Sequence, residues 1–397
     1  MKFDLFHPDI LNQPYRAYTQ SHLYEQGLLR GSAPMPEFPE CWYVIGYNEA
    51  LQVLRNPIFV HDRSRITGLA PLAQFSGEAL QFWEKLTEWP LFLDAPEHTE
   101  KRQLLGSFFK EALILDLAKV IQQKSDTLLD QALTKPSFDF MHEFAYPLSL
   151  QVICHLIGIQ PPDLRWFKSH SQAIANTLDL REGQHDYQES LNAVKELNEF
   201  FCEQMEDPLP NSLLSSLMSK GLNKQELLPL LLQIIFAGQE TSADAIGLSL
   251  LTLSKHRNVW QLLSDNPQLI DSAVREGLRY DSSIQFSGIR VATETVAING
   301  TEIARGESVL IALGACNHDP RYFKSPEVFD IKRNNSGPEL SFGHGIHHCL
   351  GIHLARLELQ IALQALVRKL PASWRIESFE MRPNRLFRGP RSLIVSV

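Results

Sequence analysis

The stretch FGHGIHHCLGIHLAR, residues 342–356, decides how the rest of this chain is read. It places one cysteine, Cys349, between two glycine-bearing turns and an amphipathic helix. Gly343 and Gly345 permit backbone turns and close approach by a flat ligand, and Gly351 lets the following helix begin tight against the same surface. A thiolate at a helix N-terminus gains from the exposed N–H groups and the positive dipole end. The spacing therefore predicts a depressed thiol pKa and an anionic ligand presented to a metal.

These residues alone leave the metal open. A single cysteine is commonly a small buried hydrophobe, and His344, His347, His348 and His353 also allow a zinc site, with Cys349 and His353 one helical turn apart. Iron in haem is the third recipient, because thiolate ligation favours O–O cleavage.

A chain of 397 residues holds two or three average domains or one large α-rich fold. Lys plus Arg number 37 against 46 Asp plus Glu, and the net charge of −9 argues for solubility and against a nucleic-acid partner. The opening MKFDLFHPDI carries charges and a proline where an export signal needs an unbroken apolar stretch. The longest apolar run, residues 227–237, contains Pro229 and Gln233 and falls short of the ~20 residues that span a bilayer, so no membrane anchor is expected. The five cysteines are odd in number, scattered and without a C-x-x-C pair. That pattern predicts no disulfide framework and a reducing, cytoplasmic setting.

Helical periodicity dominates residues 99–278, whereas β-like runs occupy 42–45, 289–298, 308–311 and 393–397. Proline patches at 34–39, 161–162 and 208–210 punctuate loops, and none is long enough for an interdomain linker. The expectation is a mainly α protein with a small β region built from sequence-distant strands, forming one unit over residues 1–397.

Several constellations stand out along this frame. Asn223 with Glu226 forms a capping box that opens a long helix over about 223–257, with Pro229 early enough to be tolerated. Inside that apolar helix, Ala237-Gly238-Gln239-Glu240-Thr241 sets a small pair beside an acid and an alcohol; the plain alternative is Thr241 bonding back to a carbonyl one turn earlier. Glu276 and Arg279 lie at i, i+3, which on an exposed helix is worth only a few tenths of a kcal/mol. His98 and Arg102 lie at i, i+4 near a helix start, either clamping carboxylates or representing ordinary surface charge. Residues 61–92 carry an aromatic and apolar stripe of Leu69, Leu72, Phe75, Phe82, Trp83, Trp89 and Phe92, a pattern that core packing also produces.

The ordered set Phe342, Gly343, Gly345, His347, Cys349, Gly351, Leu354, Ala355 and Arg356 strongly resembles the cysteine-ligand loop of the cytochrome P450 family of haem-thiolate monooxygenases, of the soluble bacterial type. The resemblance covers nearly the whole chain. It implies the P450 fold, a single large domain enclosing haem b, with the loop at 342–351 supplying Cys349 as the axial thiolate and Phe342 and Gly351 beside the cofactor. Residues 237–241 look like the family's oxygen-activation motif: Gly238 leaves room over the iron, and Glu240 and Thr241 support proton delivery. Glu276, Arg279 and Arg333 resemble the structural triad that buttresses the cysteine loop. His98, Arg102, Arg290 and His347 fall where the family binds the haem propionates, and charge-assisted bonds explain those residue types. By the same resemblance, Phe82 and Trp83, Ile234 and Ala237, Ile284 and Phe286, and Leu386 and Phe387 wall a substrate pocket. Few polar groups converge there, which suggests an apolar small molecule.

The implied function is a haem-thiolate monooxygenase acting as a monomer, in a setting such as small-molecule biosynthesis. The chain has no G-x-G-x-x-G fingerprint or appended flavin segment, so electrons must come from a separate ferredoxin-type donor with its reductase. The rivals are a non-catalytic haem-thiolate sensor or carrier, in which Glu240 and Thr241 have no task, and a zinc hydrolase built on Cys349 and the histidine cluster.

Overall fold

The computed structural model describes residues 7, 9, 13–18, 25–32, 40–62, 72, 75–160, 163–180, 186–333 and 337–397. Leu69 and the proline patches at 34–39 and 161–162 lie outside the described residues. The helices that position the site are α1 (Gly77–Leu86), α2 (Glu97–Gly106), α3 (Tyr146–Ile157), α4 (Leu164–Leu178), α5 (Lys224–Lys255), α6 (Ile270–Tyr280) and α7 (Ile352–Lys369).

The long helix α5 forms where its sequence asks for one. Asn223 Oδ1 accepts from the N–H groups of Gln225 and Glu226 at 2.9 and 3.2 Å, and the Glu226 carboxylate returns the bond to the Asn223 N–H at 2.9 Å. Pro229 falls in the second turn and forfeits a single backbone bond there. Beyond it α5 is buried almost all round, through Leu230, Leu231, Ile235, Ala243, Ile246 and Leu250, with α3 and α7 packed against it. Each such aliphatic side chain contributes roughly 1.5–3 kcal/mol by leaving water. One stripe breaks the pattern: Gln233, Ala237 and Thr241 stay partly or largely uncovered. These positions recur at helical spacing, so a single line on α5 faces open space.

The strands gather from distant parts of the chain: β1 (Leu28–Gly31), β2 (Cys41–Val44), β3 (Phe59–Val60), β4 (Ser137–Asp139), β5 (Arg290–Ala292), β6 (Val296–Ile298), β7 (Thr301–Ile303), β8 (Ser308–Ile311), β9 (Arg375–Met381) and β10 (Pro390–Ser396). Five form one sheet in the order β1-β2-β8-β5-β3, with β2 and β8 parallel. A second sheet is β4-β10-β9 and a third pairs β6 with β7.

Two departures from the sequence pattern have local causes. The expected strand over residues 289–298 is divided into β5 and β6, because β5 pairs with β3 and β8 in the five-stranded sheet whereas β6 leaves it to pair with β7. The helical stretch at 99–278 is interrupted by β4, three residues whose partner β10 lies at the far end of the chain. That pairing is non-local and leaves no periodicity to read.

Candidate functional site

The cysteine loop is shaped by its glycines, though not by all of them. Gly343 and Gly345 adopt φ of 64° and 73°, in the left-handed region, and a Cβ at Gly345 would come within 2.1 Å of the Leu54 carbonyl oxygen. Gly351 has neither constraint: its φ is −86°, and a Cβ would meet only Phe109 Cε1 at 4.0 Å. No protein atom therefore demands glycine at that position. The loop closes through the Cys349 N–H to the Phe342 carbonyl at 2.9 Å, and the Arg356 guanidinium stands 5.2 Å from the Phe342 ring centroid.

The expected depression of the Cys349 pKa is not found. Burial pushes the thiol up, outweighing the Gly351 N–H and the positive charges of Arg102 and Arg356, which act the other way. In the protein alone the thiol is thus held protonated. Only a cation bound at the sulfur reverses this, since a coordinating thiol is deprotonated outright.

Beside the loop lies a cluster of cationic and cation-capable side chains. His98, on α2, and His347 approach with ring centroids 4.2 Å apart, and His61 meets His347 edge-on at 4.8 Å. Arg290 opens β5 and is buried; Arg102 donates to the His348 carbonyl. Burial lowers the pKa of His98 and His347 and takes His61 to about 3, with Arg290 adding to the effect on His61 and His347. Arg290 itself is pushed down to about 10 by burial. The histidines are therefore neutral, and the two arginines carry the positive charge. His98 Nδ1, Arg290 Nε and His347 Nε2 are buried with no partner among the protein groups. Buried polar groups are seldom left so, and carboxylates reaching into the cluster would satisfy them. The residues present fit the propionate end of a haem. His61 was not singled out from sequence, because a histidine after a two-residue strand carries no spacing signal.

Glu276 and Arg279 are not the exposed pair that their spacing alone suggests. Arg279 donates from Nε and Nη2 to the two oxygens of Glu276, each at 2.8 Å, and Arg333 Nε adds a third bond at 3.1 Å. Glu276 and Arg279 are buried, and Arg333 is half-buried beside them. Arg279 Nη1 also donates to the carbonyls of Asn317 and Pro326 at 2.9 Å. Asn317 in turn accepts the Leu340 N–H at 2.7 Å and donates to Ser341 Oγ at 2.9 Å. The ion cluster is thereby linked to the residues that lead into Phe342.

On α5, Thr241 Oγ donates to the Ala237 carbonyl at 2.8 Å, the back-bonded geometry. Its proton is committed, and its lone pairs remain free to accept. Gly238 does not provide room on the open stripe, since a Cβ there would run into Ile153 of α3 at 2.7 Å. Its smallness serves helix packing; the small residue on the stripe is Ala237. Glu240 points elsewhere, to Arg382 Nη1 at 2.7 Å. Arg382 also donates to Asp244 and to Tyr146, and Lys168 Nζ stands 3.9 Å from the Tyr146 ring centroid. None of these partners was singled out from sequence; Asp244 alone carried a signal that could have found it, as a second acid one turn beyond Glu240. Arg382 and Lys168 arrive from other elements.

Two expected pocket residues belong to the core instead. Phe82 is 0% exposed, packed against Trp83 and Tyr187, and Phe286 is 1% exposed in a separate cluster with Tyr18, Tyr43 and Leu310. Fully covered side chains have no surface to offer a ligand. Trp83 and Ile284 are half-buried, and Phe387, bridged to Ile284, meets Phe236 edge-on at 5.7 Å. Ile234 is buried on α5.

Among the described residues no group of three His, Cys, Asp or Glu side chains is placed to hold a metal ion, and no helix is long and apolar enough to cross a membrane. All five cysteines are free.

Comparison with known proteins adds to this geometry. The family model described as Cytochrome P450 matches residues 132–394. The chain is 34% identical to the biotin biosynthesis cytochrome P450 of Bacillus subtilis (strain 168), over 89% of this chain and 88% of that protein. It is 32% identical to the cytochrome P450 monooxygenase PikC of Streptomyces venezuelae, over 97% and 91% of the two chains. Among solved structures it resembles P450BioI in complex with acyl carrier protein ligated to hexadec-9Z-enoic acid, with a TM-score of 0.87 at 31% identity, covering 98% of this chain and 99% of that one.

Proposed function

The chain belongs to the cytochrome P450 family, and from that premise we propose that Cys349 is the axial ligand of its haem, and that the enzyme oxidises an apolar small molecule with electrons from a separate ferredoxin-type donor. When bound, thiolate-ligated haem supplies reductive cleavage of dioxygen and transfer of one oxygen atom to the substrate. The single observation that carries the assignment is the junction of the Cys349 loop with a buried cluster whose His98 Nδ1, Arg290 Nε and His347 Nε2 lack partners. A zinc hydrolase gains no such support, because among the described residues no metal-ligand set converges.

Arg102, Arg290, His98 and His347 would hold the propionates, the arginines by charge and the neutral imidazoles by hydrogen bonds. Removing either arginine strips a charge-assisted bond worth about 1.5–3 kcal/mol, which is roughly a ten- to hundredfold change in haem affinity. Transfer of haem to an acceptor protein should quicken by about that factor in Arg102→Ala and Arg290→Ala. Wild-type transfer rates in both would return these residues to structural duty.

The uncovered stripe of α5 faces the substrate, with Ala237 giving space and Thr241 placing a water. Because the Thr241 proton is committed to the Ala237 carbonyl, the hydroxyl acts by accepting from a water and orienting it, and Glu240 restores the proton which that water gives up. Thr241→Ala should keep haem content and substrate-induced spectral change while diverting electrons to hydrogen peroxide, and Thr241→Ser should keep most of the product. Reductant consumed, peroxide formed and product formed are measured in one reaction. A wild-type ratio of product to reductant in Thr241→Ala would confine Thr241 to helix packing, and the same ratio in Glu240→Gln would remove Glu240 from proton delivery.

Electrons enter on the side of α2 and the cysteine loop, where a cleft of about 350 Å³ is lined by His98, Arg102, Gln103, Gly106, Ile346 and Leu350. Ile346 is 51% exposed there, an apolar contact in the same cleft as the Arg102 guanidinium, which suits an acidic donor. The free cysteines support a reducing, cytoplasmic setting, and we take the enzyme to be a monomer. The substrate is sought by spectral titration with apolar compounds, free fatty acids and carrier-linked fatty acid included, followed by product analysis with a ferredoxin and its reductase.

A further inference from the structure

Two acids and a guanidinium are enclosed together behind α5, with the half-buried Lys168 at their edge, and the proton path through Thr241 does not account for most of them. Glu240 and Asp244 lie one turn apart on the same face, 1% and 0% exposed. Arg382 bridges them, donating from Nη1 to Glu240 and from Nη2 to Asp244 and to the Tyr146 hydroxyl. Each carboxylate still keeps one buried oxygen without a partner, Glu240 Oε1 and Asp244 Oδ2. One fork cannot neutralise two buried carboxylates, which favours a proton retained between them.

Arg382 sits in the turn that joins β9 to β10, and this turn closes on itself through the Arg382 N–H to the Gly389 carbonyl at 2.9 Å. Gly389 lies against the acid pair, since a Cβ there would fall 2.0 Å from Asp244 Oδ1. The same turn carries Phe387, whose N–H is held by Asn384 Oδ1 at 2.7 Å, and its Arg385 N–H is held by Asp179 just past α4 at 2.7 Å. The clamp on the acid pair and the buried Phe387, which the pocket reading sets in the wall, therefore belong to one packed turn.

We propose that Arg382 is a positioning residue: it clamps Glu240 and Asp244 around one shared proton and, through its turn, couples that proton store to the wall of the substrate pocket. The proposal rests on the reading of Glu240 as the acid that serves Thr241. Asp244 passes its proton to the Glu240 carboxylate, and Glu240 passes it to the water placed by Thr241. Lys168 makes no direct bond to Asp244 and recharges it through intervening water; its own proton comes from the surface, where its Nζ stands 3.0 Å from Nε2 of the exposed His142. Each transfer leaves a base that the next donor reprotonates, and no electron moves.

The groups facing Asp244 are Arg382 from the turn, Glu240 from its own helix, Lys168 from α4 and Tyr146 from α3. Burial raises Asp244 to about 8, and burial lowers Lys168 to about 8, so both exchange protons in one window. Below that pH Asp244 holds its proton; above it the store empties.

Infrared titration of the resting holoenzyme reads the store directly and needs no turnover. The wild type should show a protonated-carboxyl C=O band that fades as pH rises through about 8 and is absent in Asp244→Asn. Lys168→Met lies at the edge of the cluster, where it tests the store even if Asp244→Asn fails to fold. Loss of that cation should move the fading to higher pH, because Lys168 holds the Asp244 pKa down. Phenylimidazole, an apolar haem ligand that presses on the pocket wall, should shift the band in the wild type and leave it unmoved in Arg382→Lys. Absence of the band in the wild type, its persistence in Asp244→Asn, an unchanged midpoint in Lys168→Met, or a phenylimidazole shift retained in Arg382→Lys would each overturn the proposal. The role of Glu240 is judged separately, by the ratio of product to reductant in Glu240→Gln.

Discussion

Cys349→Ser is expected to lose oxygenase turnover altogether and to yield a protein whose haem, where retained, has no thiolate character in its ferric spectrum. The physical reason lies in the donor. A serine hydroxyl in the same buried loop is a far weaker acid than a thiol, and burial already pushes even the thiol up. It cannot supply the anionic sulfur that favours O–O cleavage. The loop itself should survive, because its shape is set by Gly343 and Gly345 and by the backbone bond from Cys349 to Phe342, none of which needs sulfur. Haem content, the ferric absorption spectrum and product formation check this together. Thiolate character retained in Cys349→Ser would assign the ligand to another cysteine, although burial raises the pKa of Cys41, Cys154 and Cys316 and none of the three adjoins the arginine–histidine cluster.

Arg279→Ala should have the next largest effect, on folding rather than on chemistry. Arg279 is enclosed and donates to Glu276 and to the carbonyls of Asn317, Pro326 and Val328. Its loss leaves the Asn317 and Pro326 carbonyls short of a donor, the Val328 carbonyl with Arg333 alone, and Glu276 with Arg333 as its one remaining cation. Breaking a buried pair from one side costs about 3–5 kcal/mol, a large part of the roughly 5–15 kcal/mol that holds a domain together. Arg279→Lys should rescue little, because an ammonium cannot reproduce the bidentate fork. The expected result is a lowered Tm and haem below one per chain in both variants. Full haem with an unchanged Tm would mean that the link through Asn317 to Leu340 and Ser341 carries no load from the ion cluster.

The parts of this site that were legible in the sequence are those built from neighbours along the chain. The cysteine loop, the Asn223–Glu226 cap and the Glu276–Arg279 pair each announce themselves within a few residues. What the sequence could not show depends on burial and on distant partners. Spacing makes Glu276 and Arg279 resemble a surface pair, and only the fold shows them enclosed with Arg333. Helix-end position suggests a low thiol pKa at Cys349, yet desolvation is the larger influence. Glycine content suggests room at Gly238, whereas the Cβ direction shows that the space is needed by Ile153. The family resemblance sets Phe82 and Phe286 in the pocket wall, yet both lie in the core, since an aromatic side chain gives no sign in sequence of which face it covers. Arg382 was invisible for the opposite reason: it follows a short exposed strand, and its meaning comes only from the turn that carries it back to α5.

The most direct test of the account is the absorption spectrum of the reduced wild-type protein with carbon monoxide bound. The account predicts the strongly red-shifted Soret band of a thiolate-ligated haem, at about one haem per chain. A Soret band typical of histidine ligation, or a protein that binds no haem under conditions where Arg102 and Arg290 are intact, would contradict it.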